Sequence, residues 1–381
     1  MDPEAFKCEK AGFPRRQAEG YWAFVPAPPP MEVAYTPELT RLLSEADAAL
    51  SELSGLGRYL PNPNLLIEPY MRREAVASSR IEGTQADLDD LLLDELEPAD
   101  REATGDVREV RNYVAAMRLG IARLGELPLS CRLVRDLHGA LMKGVRGEHA
   151  TPGEFRRSQN WIGPPGSTLA TASYVPPPVE EMKDCLTAWE RFVHVRDTMP
   201  DLVQCALMHE HFEAIHPFID GNGRVGRLLI TLFLIERNRL SKPLLYLSSH
   251  IERHRREYYD LLMAVRTDCA WDDWLRYFLL AVRDSSRSAL KQGDELLAVR
   301  DAYGRELEGR HRSQALMEML FLNPYTTAAR AAENLNVSRP TAMKTIEELE
   351  KAGLLTEMTG QSWGRRWAAG PILNVLRGEH G

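Results

Sequence analysis

HPFIDGNGRVGRLL, residues 216–229, is the stretch from which the rest of the chain can be read. Gly221-Asn222-Gly223 has a permissive backbone on both sides of an asparagine, so successive N–H groups can be aimed at one point. The apolar run that follows predicts a helix, whose N-terminus adds partial positive charge at the same place. Arg224 and Arg227 are three residues apart and project from one face of its first turn. Two guanidinium groups beside such a turn suit more than one phosphate. Asp220 leads into the turn, where it can hold Mg²⁺ against those phosphates. His216, just before Pro217, closes the preceding helix and has the pKa range of a general base. Phe218 reads as a core anchor. Together these residues describe transfer of a nucleotidyl or phosphoryl group to a hydroxyl. The G-x-x-x-x-G-K-[ST] phosphate loop is absent.

Outward from this stretch the periodicity is mostly helical. Helices are predicted at Thr36–Leu56, with Gly55 and Gly57 as the stop, and at Met71–Ile81, stopped by Gly83. Others are predicted at Asp106–Leu124, Ser130–Lys143, Val179–Arg196, Leu202–Ile215 and Ser249–Arg266, with a long one from Trp271 to about Glu308. Two stretches break the pattern. Residues 1–35, rich in proline and aromatics, read as an extended arm. Residues 153–178 have central turn residues and flanking aromatics, which predicts a β-hairpin flap with Trp161-Ile162-Gly163 at its tip. From Ser313 the order helix, helix, longer helix, hairpin is that of a winged helix-turn-helix. The expected division is an N-terminal arm and helices over 1–110, a core over 111–310, and the C-terminal module over 313–381.

Composition narrows the classes. The net charge of −8 over 381 residues argues against a general nucleic-acid binder. The five cysteines are scattered and never spaced C-x-x-C, which argues against a disulfide framework or zinc site and suits a reducing cytoplasm. No apolar run is long enough to span a bilayer. His209 and His211 diverge on a helix, so HEHFEAIH is not read as a metal cluster. His211 is placed at the rim of the site instead. The acidic run Asp87, Asp89, Asp90, Asp94, Glu95 reads as a solvated face.

At every fixed position, HPFIDGNGRVGR resembles the Fic family signature H-x-F-x-[DE]-G-N-[GK]-R-x-x-R. The resemblance implies a Fic-type helical core and protein AMPylation: AMP passes from ATP to a Ser, Thr or Tyr hydroxyl and pyrophosphate is released. It assigns His216 as base and Asp220 as the Mg²⁺ ligand, with Mn²⁺ as a substitute ion. Gly221, Asn222, Gly223 and Arg224 hold the α- and β-phosphates, and Arg227 the γ-phosphate. Ser78-Ser79-Arg80-Ile81-Glu82-Gly83 resembles the inhibitory [ST]-x-x-x-E-[GN] motif of the subclass whose inhibitory helix, here about 71–83, is N-terminal and intramolecular. Glu82 would then occupy Arg227 in place of the γ-phosphate, with Ser78 and Gly83 shaping the motif. In the family the flap pairs with an extended segment of the target by strand addition. Arg253 and Tyr258, in HIERHRREYYD, are candidates for the adenosine.

Three alternatives stand beside this. The same site can run backwards, with Glu82 orienting a water that removes AMP. The module over 313–381 can bind DNA and make the chain a transcriptional regulator; its seven Lys and Arg are balanced by seven Asp and Glu, but Arg339, Lys344, Arg365 and Arg366 form a local patch. Or the module serves homodimer contacts or target docking. The expected partners are therefore a target protein, the chain itself as a substrate, and DNA, with no membrane.

Overall fold

LVQCALMHEHFEAI spreads its apolar residues right round the helix and leaves no separate polar face, and a helix of that kind must be enclosed. In the computed structural model, which describes residues 1–59, 62–96, 105–145 and 151–378, helix α7 (Asp201–Ile215) is buried from Leu202 to Ile215. Before it in the chain come α1 (Pro37–Tyr59), α2 (Asn64–Ile81), α3 (Leu88–Asp94), α4 (Gly105–Arg123), α5 (Cys131–Leu141) and α6 (Val179–His194). After the His216 turn come α8 (Asn222–Glu236), α9 (Ser248–Arg253), α10 (Arg255–Asp268) and α11 (Trp271–Glu306). The architecture is mostly α, with α7 against α8, α2 against α4 and α9, and α1 along α11.

The helix ends follow from local chemistry. Thr36 caps α1, its Oγ1 accepting from the Leu39 N–H at 3.1 Å. Gly55 and Gly57 do not stop that helix, which runs on to Tyr59. A Cβ on Gly57 would sit 2.9 Å from Leu244, so this glycine admits a neighbour rather than ending a turn. Helix α2 begins at Asn64, seven residues before the predicted start, and runs through Pro69, which lies inside it and forfeits one backbone bond. It ends as expected, with Gly83 at φ 98°. The stretch read as one helix over 249–266 is two, broken at His254. The acidic run is not a bare solvated face. Asp87 caps α3 in a capping box, and Asp94 and Asp89 pair with Arg111 and Arg377.

The N-terminal arm is a strand pair, β1 (Gly12–Arg16) and β2 (Trp22–Pro26), in antiparallel register Gly12↔Pro26 to Arg16↔Trp22. It lies on the flap: Phe24 N–H donates to the Val175 carbonyl at 2.8 Å, and Phe6, Phe24 and Tyr174 cluster. Cys8 and Cys269, 261 residues apart, are disulfide-bonded with Cα atoms 5.3 Å apart, against the expectation of unpaired thiols. Spacing along the chain carries no sign of such a pair; Lys7 N–H donating to the Thr267 carbonyl at 3.0 Å brings the two segments together. Cys131, Cys185 and Cys205 are free.

The flap is not a two-stranded ladder. Ile162 and Tyr174 form one isolated antiparallel bridge, at 2.8 and 3.0 Å. Pro164 and Pro165 have no N–H to extend it, and the chain beyond Tyr174 turns to β2 instead. Trp161-Ile162-Gly163 is therefore at the bridge, and the tip is the turn around Ser167 to Thr171.

The C-terminal segment consists of α12 (His311–Leu320), β3 (Tyr325–Thr327), α13 (Ala328–Leu335), α14 (Arg339–Lys351), β4 (Thr356–Glu357), β5 (Arg366–Ala368) and α15 (Gly370–Arg377), with sheet order β3-β5-β4. It docks on α3. Leu92 packs with Tyr325, Ala368 and Leu373, and Asn323 donates to the Leu92 carbonyl at 2.9 Å. The boundary expected at 110/111 falls inside α4. No helix among the described residues is long and apolar enough to cross a membrane.

Candidate active site

His216 ends α7 with φ 48° and ψ 61°, a left-handed conformation that a residue with a Cβ rarely takes. Two buried side chains from the flap root hold it. Arg156 Nε donates to the His216 carbonyl at 3.1 Å and Asn160 Nδ2 donates to it at 3.0 Å. Asn160 also donates to the Phe218 carbonyl at 2.7 Å. Burial pulls the Arg156 guanidinium down to about 10. Burial, reinforced by Arg156 and Arg266, takes the His216 imidazole down to about 3, so it is neutral near pH 7 and free to accept a proton.

The turn after it is stapled internally. Asn222 Oδ1 accepts from the Phe218 N–H and its Nδ2 donates to the Phe218 carbonyl, both at 2.8 Å. The Asn222 side chain is thus committed to the loop, which leaves its backbone N–H for a ligand. Phe218 is fully buried and stacks on His138 at 3.7 Å. His138 Nδ1 accepts from Gly153 N–H at 2.9 Å, which leaves its Nε2 to donate to the Asp220 carbonyl at 3.1 Å. Gly221, φ 81°, is the N-cap of α8, and a Cβ there would meet the Met142 sulfur at 2.9 Å.

Arg224 and Arg227 are both buried, on the first and second turns of α8. Arg227 is bound three times by the end of α2. Its Nε donates to Ser78 Oγ at 2.8 Å, and its Nη2 to the Ser78 carbonyl at 3.0 Å and to Glu82 Oε1 at 2.7 Å. A Cβ on Gly223 would lie 2.4 Å from Glu82 Oε1, so the carboxylate rests directly on the Gly-Asn-Gly turn. Burial pushes the Glu82 carboxyl upward, but Arg227, with Arg224 and His216 behind it, holds it below its ordinary value. Arg224 is held more loosely: Glu109 Oε2 is 3.5 Å away and Asp220 Oδ1 3.8 Å. Thr84, just past Gly83, donates to the same Glu109 Oε2 at 2.7 Å.

Three expected contacts are not at this turn. His211 is 2 % exposed, inside the core rather than at a rim. Tyr258 is 1 % exposed, its hydroxyl 2.9 Å from His209 Nε2, while His209 Nδ1 meets the Gly226 carbonyl at 3.1 Å. Arg253 faces a separate cavity behind α2. Tyr259, one position on, is exposed and close enough to Glu82 and Arg227 to feel both charges. Trp161 stays exposed, with Nε1 donating to the Ser167 carbonyl at 3.0 Å.

Sequence reasoning missed Arg156, Asn160, His138, Glu109, Glu213 and Tyr259. The period of α10 carried a signal for Tyr259, because Tyr258 shares the buried stripe of Leu262 and Val265 and its neighbour must face out. Glu213 is buried beside the base, its Oε2 4.0 Å from His216 Nδ1. Burial drives its carboxyl up to about 7, against the pull of Arg227. A Cβ on Gly226 would lie 2.2 Å from Glu213 Oε1, which is why that position has none.

Residues 40–122 match the model of the Fic/DOC family N-terminal region, and residues 128–234 match that of the Fic/DOC family itself. The chain carries a Fic/DOC N-terminal domain followed by a Fic/DOC domain. The chain is 25 % identical over 187 residues to a probable protein adenylyltransferase of Aquifex aeolicus, spanning 48 % of this chain and 55 % of that protein. It is 26 % identical over 147 residues to the protein adenylyltransferase Fic of Drosophila erecta, 38 % of this chain and 28 % of that one. The chain thus spans about half or less of the curated relatives it matches. A Fic family protein from Desulfovibrio desulfuricans shares the fold with TM-score 0.58 at 20 % identity, over 90 % of this chain and 98 % of that one.

Proposed function

We propose that this Fic chain is a protein adenylyltransferase held in check by Glu82. The observation that carries the proposal is the Glu82–Arg227 pair at 2.7 Å, lying on the turn of a complete signature. A carboxylate there satisfies the arginine and the turn that a γ-phosphate would need.

The reaction follows from the neighbouring groups. The hydroxyl oxygen of a Ser, Thr or Tyr attacks the α-phosphorus of ATP. His216 takes the hydroxyl proton, the bond from the α-phosphorus to the bridging oxygen breaks, and pyrophosphate leaves. The first N–H groups of α8 and Arg224 stabilise charge on the phosphate oxygens. Asp220 fits a Mg²⁺ ion: its side chain is half exposed and one oxygen is engaged by the Gly221 N–H at 2.6 Å, which suits an ion held mainly by phosphates and water. The ion would neutralise phosphate charge. Tyr259, exposed where Tyr258 is buried, is the candidate left open to the adenosine. The flap serves target docking through its bridge at Ile162 and the exposed Trp161.

Labelling with α-phosphate-labelled ATP tests this. Glu82→Gly should transfer label to itself and to proteins of a lysate, and His216→Ala should not; label persisting in His216→Ala would overturn the assignment. Removal of AMP by the same site is tested on the labelled product, where loss of label that requires Glu82 would favour the reverse reaction.

A second reading concerns the C-terminal segment. Its order α12-β3-α13-α14-β4-β5 supports a winged helix-turn-helix, and exposed Arg339, Lys344 and Arg365, with Trp363 at 88 % exposure, support DNA as its partner. A gel shift with the full chain that shows no salt-sensitive complex would remove this reading.

A further inference from the structure

The base side of the site holds a buried acid that the proposed reaction leaves idle. Glu213 sits three residues before His216, on the last turn of α7. Its Oε1 is buried and makes no hydrogen bond among the described residues, and the same is true of His216 Nδ1. Oε2 lies 4.0 Å from that Nδ1. The Glu213 backbone carbonyl bears on the ring as well. Room for the carboxyl comes from α8, where a Cβ on Gly226 would fall 2.2 Å from Oε1 and 3.3 Å from His209 Cε1. Buried polar atoms without partners are costly. Two of them side by side, in a space that the facing helix opens with a glycine, mark an interaction that forms in another charge state of the pair.

That state is one the proposed reaction passes through. His216 Nδ1 is on the buried edge of the ring, which leaves Nε2 to take the acceptor's proton. The imidazolium that results has Arg156 and Arg266 close by, and both oppose its charge. Of the carboxylates around it, Glu82 is bonded to Arg227 and, on the proposed function, yields its place to ATP, while Glu210 is held by Arg266 at 3.1 Å. Glu213 keeps an oxygen to spare. A gap of 4.0 Å is too long for a hydrogen bond, but such contacts tighten as the reacting complex forms. The groups that face Glu213 are Arg227 from α8, Glu82 from α2, Arg266 and Tyr258 from α10, and Glu210 and His209 from α7. Burial outweighs the two arginines, so the carboxyl titrates near neutrality instead of being locked as an ion.

We propose that Glu213 is the positioning residue of the base: its carboxylate holds the Nδ1–H of His216, so that the Nε2 lone pair faces the acceptor, and offsets the imidazolium charge once the hydroxyl proton has moved to Nε2. The proton later leaves from Nε2 to water, and Nδ1 keeps its own throughout. A third group that orients the base is the general requirement for a histidine that must present one nitrogen. The proposal deepens the adenylyltransferase reading of the site and rests on it.

Label incorporation by the full Glu82→Gly chain, with and without Glu213→Gln, tests this between pH 5.5 and 8.5. Gln keeps the volume and removes the charge. At pH 8 kcat should fall by about tenfold or more while the KM for ATP stays within about twofold, because Glu213 acts through the base and not on the nucleotide. The Glu82→Gly chain should lose activity as pH falls, along a limb below about 7, since Glu82 is one of the groups that raise Glu213. Glu213→Gln should abolish that limb. An unchanged kcat, a limb that survives, or a change confined to KM would overturn the proposal. Nitrogen-15 NMR of the imidazole, with His216 assigned by its loss in His216→Ala, reads the same pair without catalysis. The wild-type ring should be the Nδ1–H tautomer, its signals should move as Glu213 ionises near pH 7, and Glu213→Gln should remove that movement. An Nε2–H tautomer in the wild type would overturn the proposal, even where Glu213→Gln failed to fold. A Glu82→Gly chain that takes up no label at any pH would instead defeat the adenylyltransferase reading, and the tautomer with its titration would still decide whether Glu213 positions His216.

Discussion

The two sides of the α8 N-terminus are held by opposite means. On the base side, His216 is fixed in a left-handed conformation by Arg156 and Asn160, which bind its carbonyl. Strain of that kind costs about 1–3 kcal/mol and persists only where surroundings enforce it. Nothing on that side has to move for His216 to accept a proton. On the phosphate side, Arg227 is fixed by Ser78 and Glu82, and the Glu82 bond must be surrendered before a γ-phosphate can take its place. One side is preorganised and the other is latched. On the proposed function, the latch rather than the base sets how much activity the resting chain has.

Two substitutions break the comparison most strongly. His216→Ala removes the preorganised side, and transfer should fall by about 10²–10⁴-fold, the ordinary worth of a positioned base. Glu82→Gly removes the latch, and transfer should rise by about 10- to 100-fold, the worth of one charge-assisted bond. Steady-state rates of label incorporation measure both. A Glu82→Gly chain no faster than the wild type would mean that Arg227 is not what limits ATP.

What was legible in the sequence follows the same division. The turn, its two arginines and Glu82 were readable because each is a residue type with few uses at that spacing. The helices were readable from their period. The supports of the base side were not, because Arg156, Asn160 and His138 act through backbone carbonyls of a segment far along the chain. Nothing in their local pattern distinguishes them from ordinary flap or helix residues. The β1–β2 pair and the Cys8–Cys269 bond were hidden for a related reason: both depend on what the arm lies against. Gly57 and Gly226 misled or stayed silent, because a glycine that admits Leu244 or Glu213 looks like any other.

Glu213 sharpens the comparison through pH. Its folded pKa of about 7 lies above the ordinary 4.5, so between those values the folded chain binds more protons than the unfolded one. Stability contributed by this group is present below about 4.5 and lost as pH rises to 7, a change on the order of 3 kcal/mol. His216 has the opposite sign: with a folded value near 3, its contribution is lost as pH falls from 6.5. Glu213→Gln should therefore be more stable than the wild type at pH 8, with the difference vanishing near pH 4.5. Denaturant unfolding at the two pH values checks it, and an equal offset at both would show that burial of the charge is not the cause.

The smallest effect discriminates most finely. Ser78 gives Arg227 two bonds, one from its hydroxyl and one from its carbonyl, and Ala keeps only the second. If Ser78 is part of the latch, Ser78→Ala loosens Arg227 from α2, and the apparent KM for ATP should fall by roughly fivefold, about 1 kcal/mol. Global stability should drop by a similar amount, because the arginine Nε loses its partner in a buried place. If Ser78 instead helps to aim Arg227 at phosphate, the same substitution should raise KM while stability falls alike. Stability cannot separate the two roles; the direction of KM does. It also tests whether the latched side is one carboxylate or the whole last turn of α2.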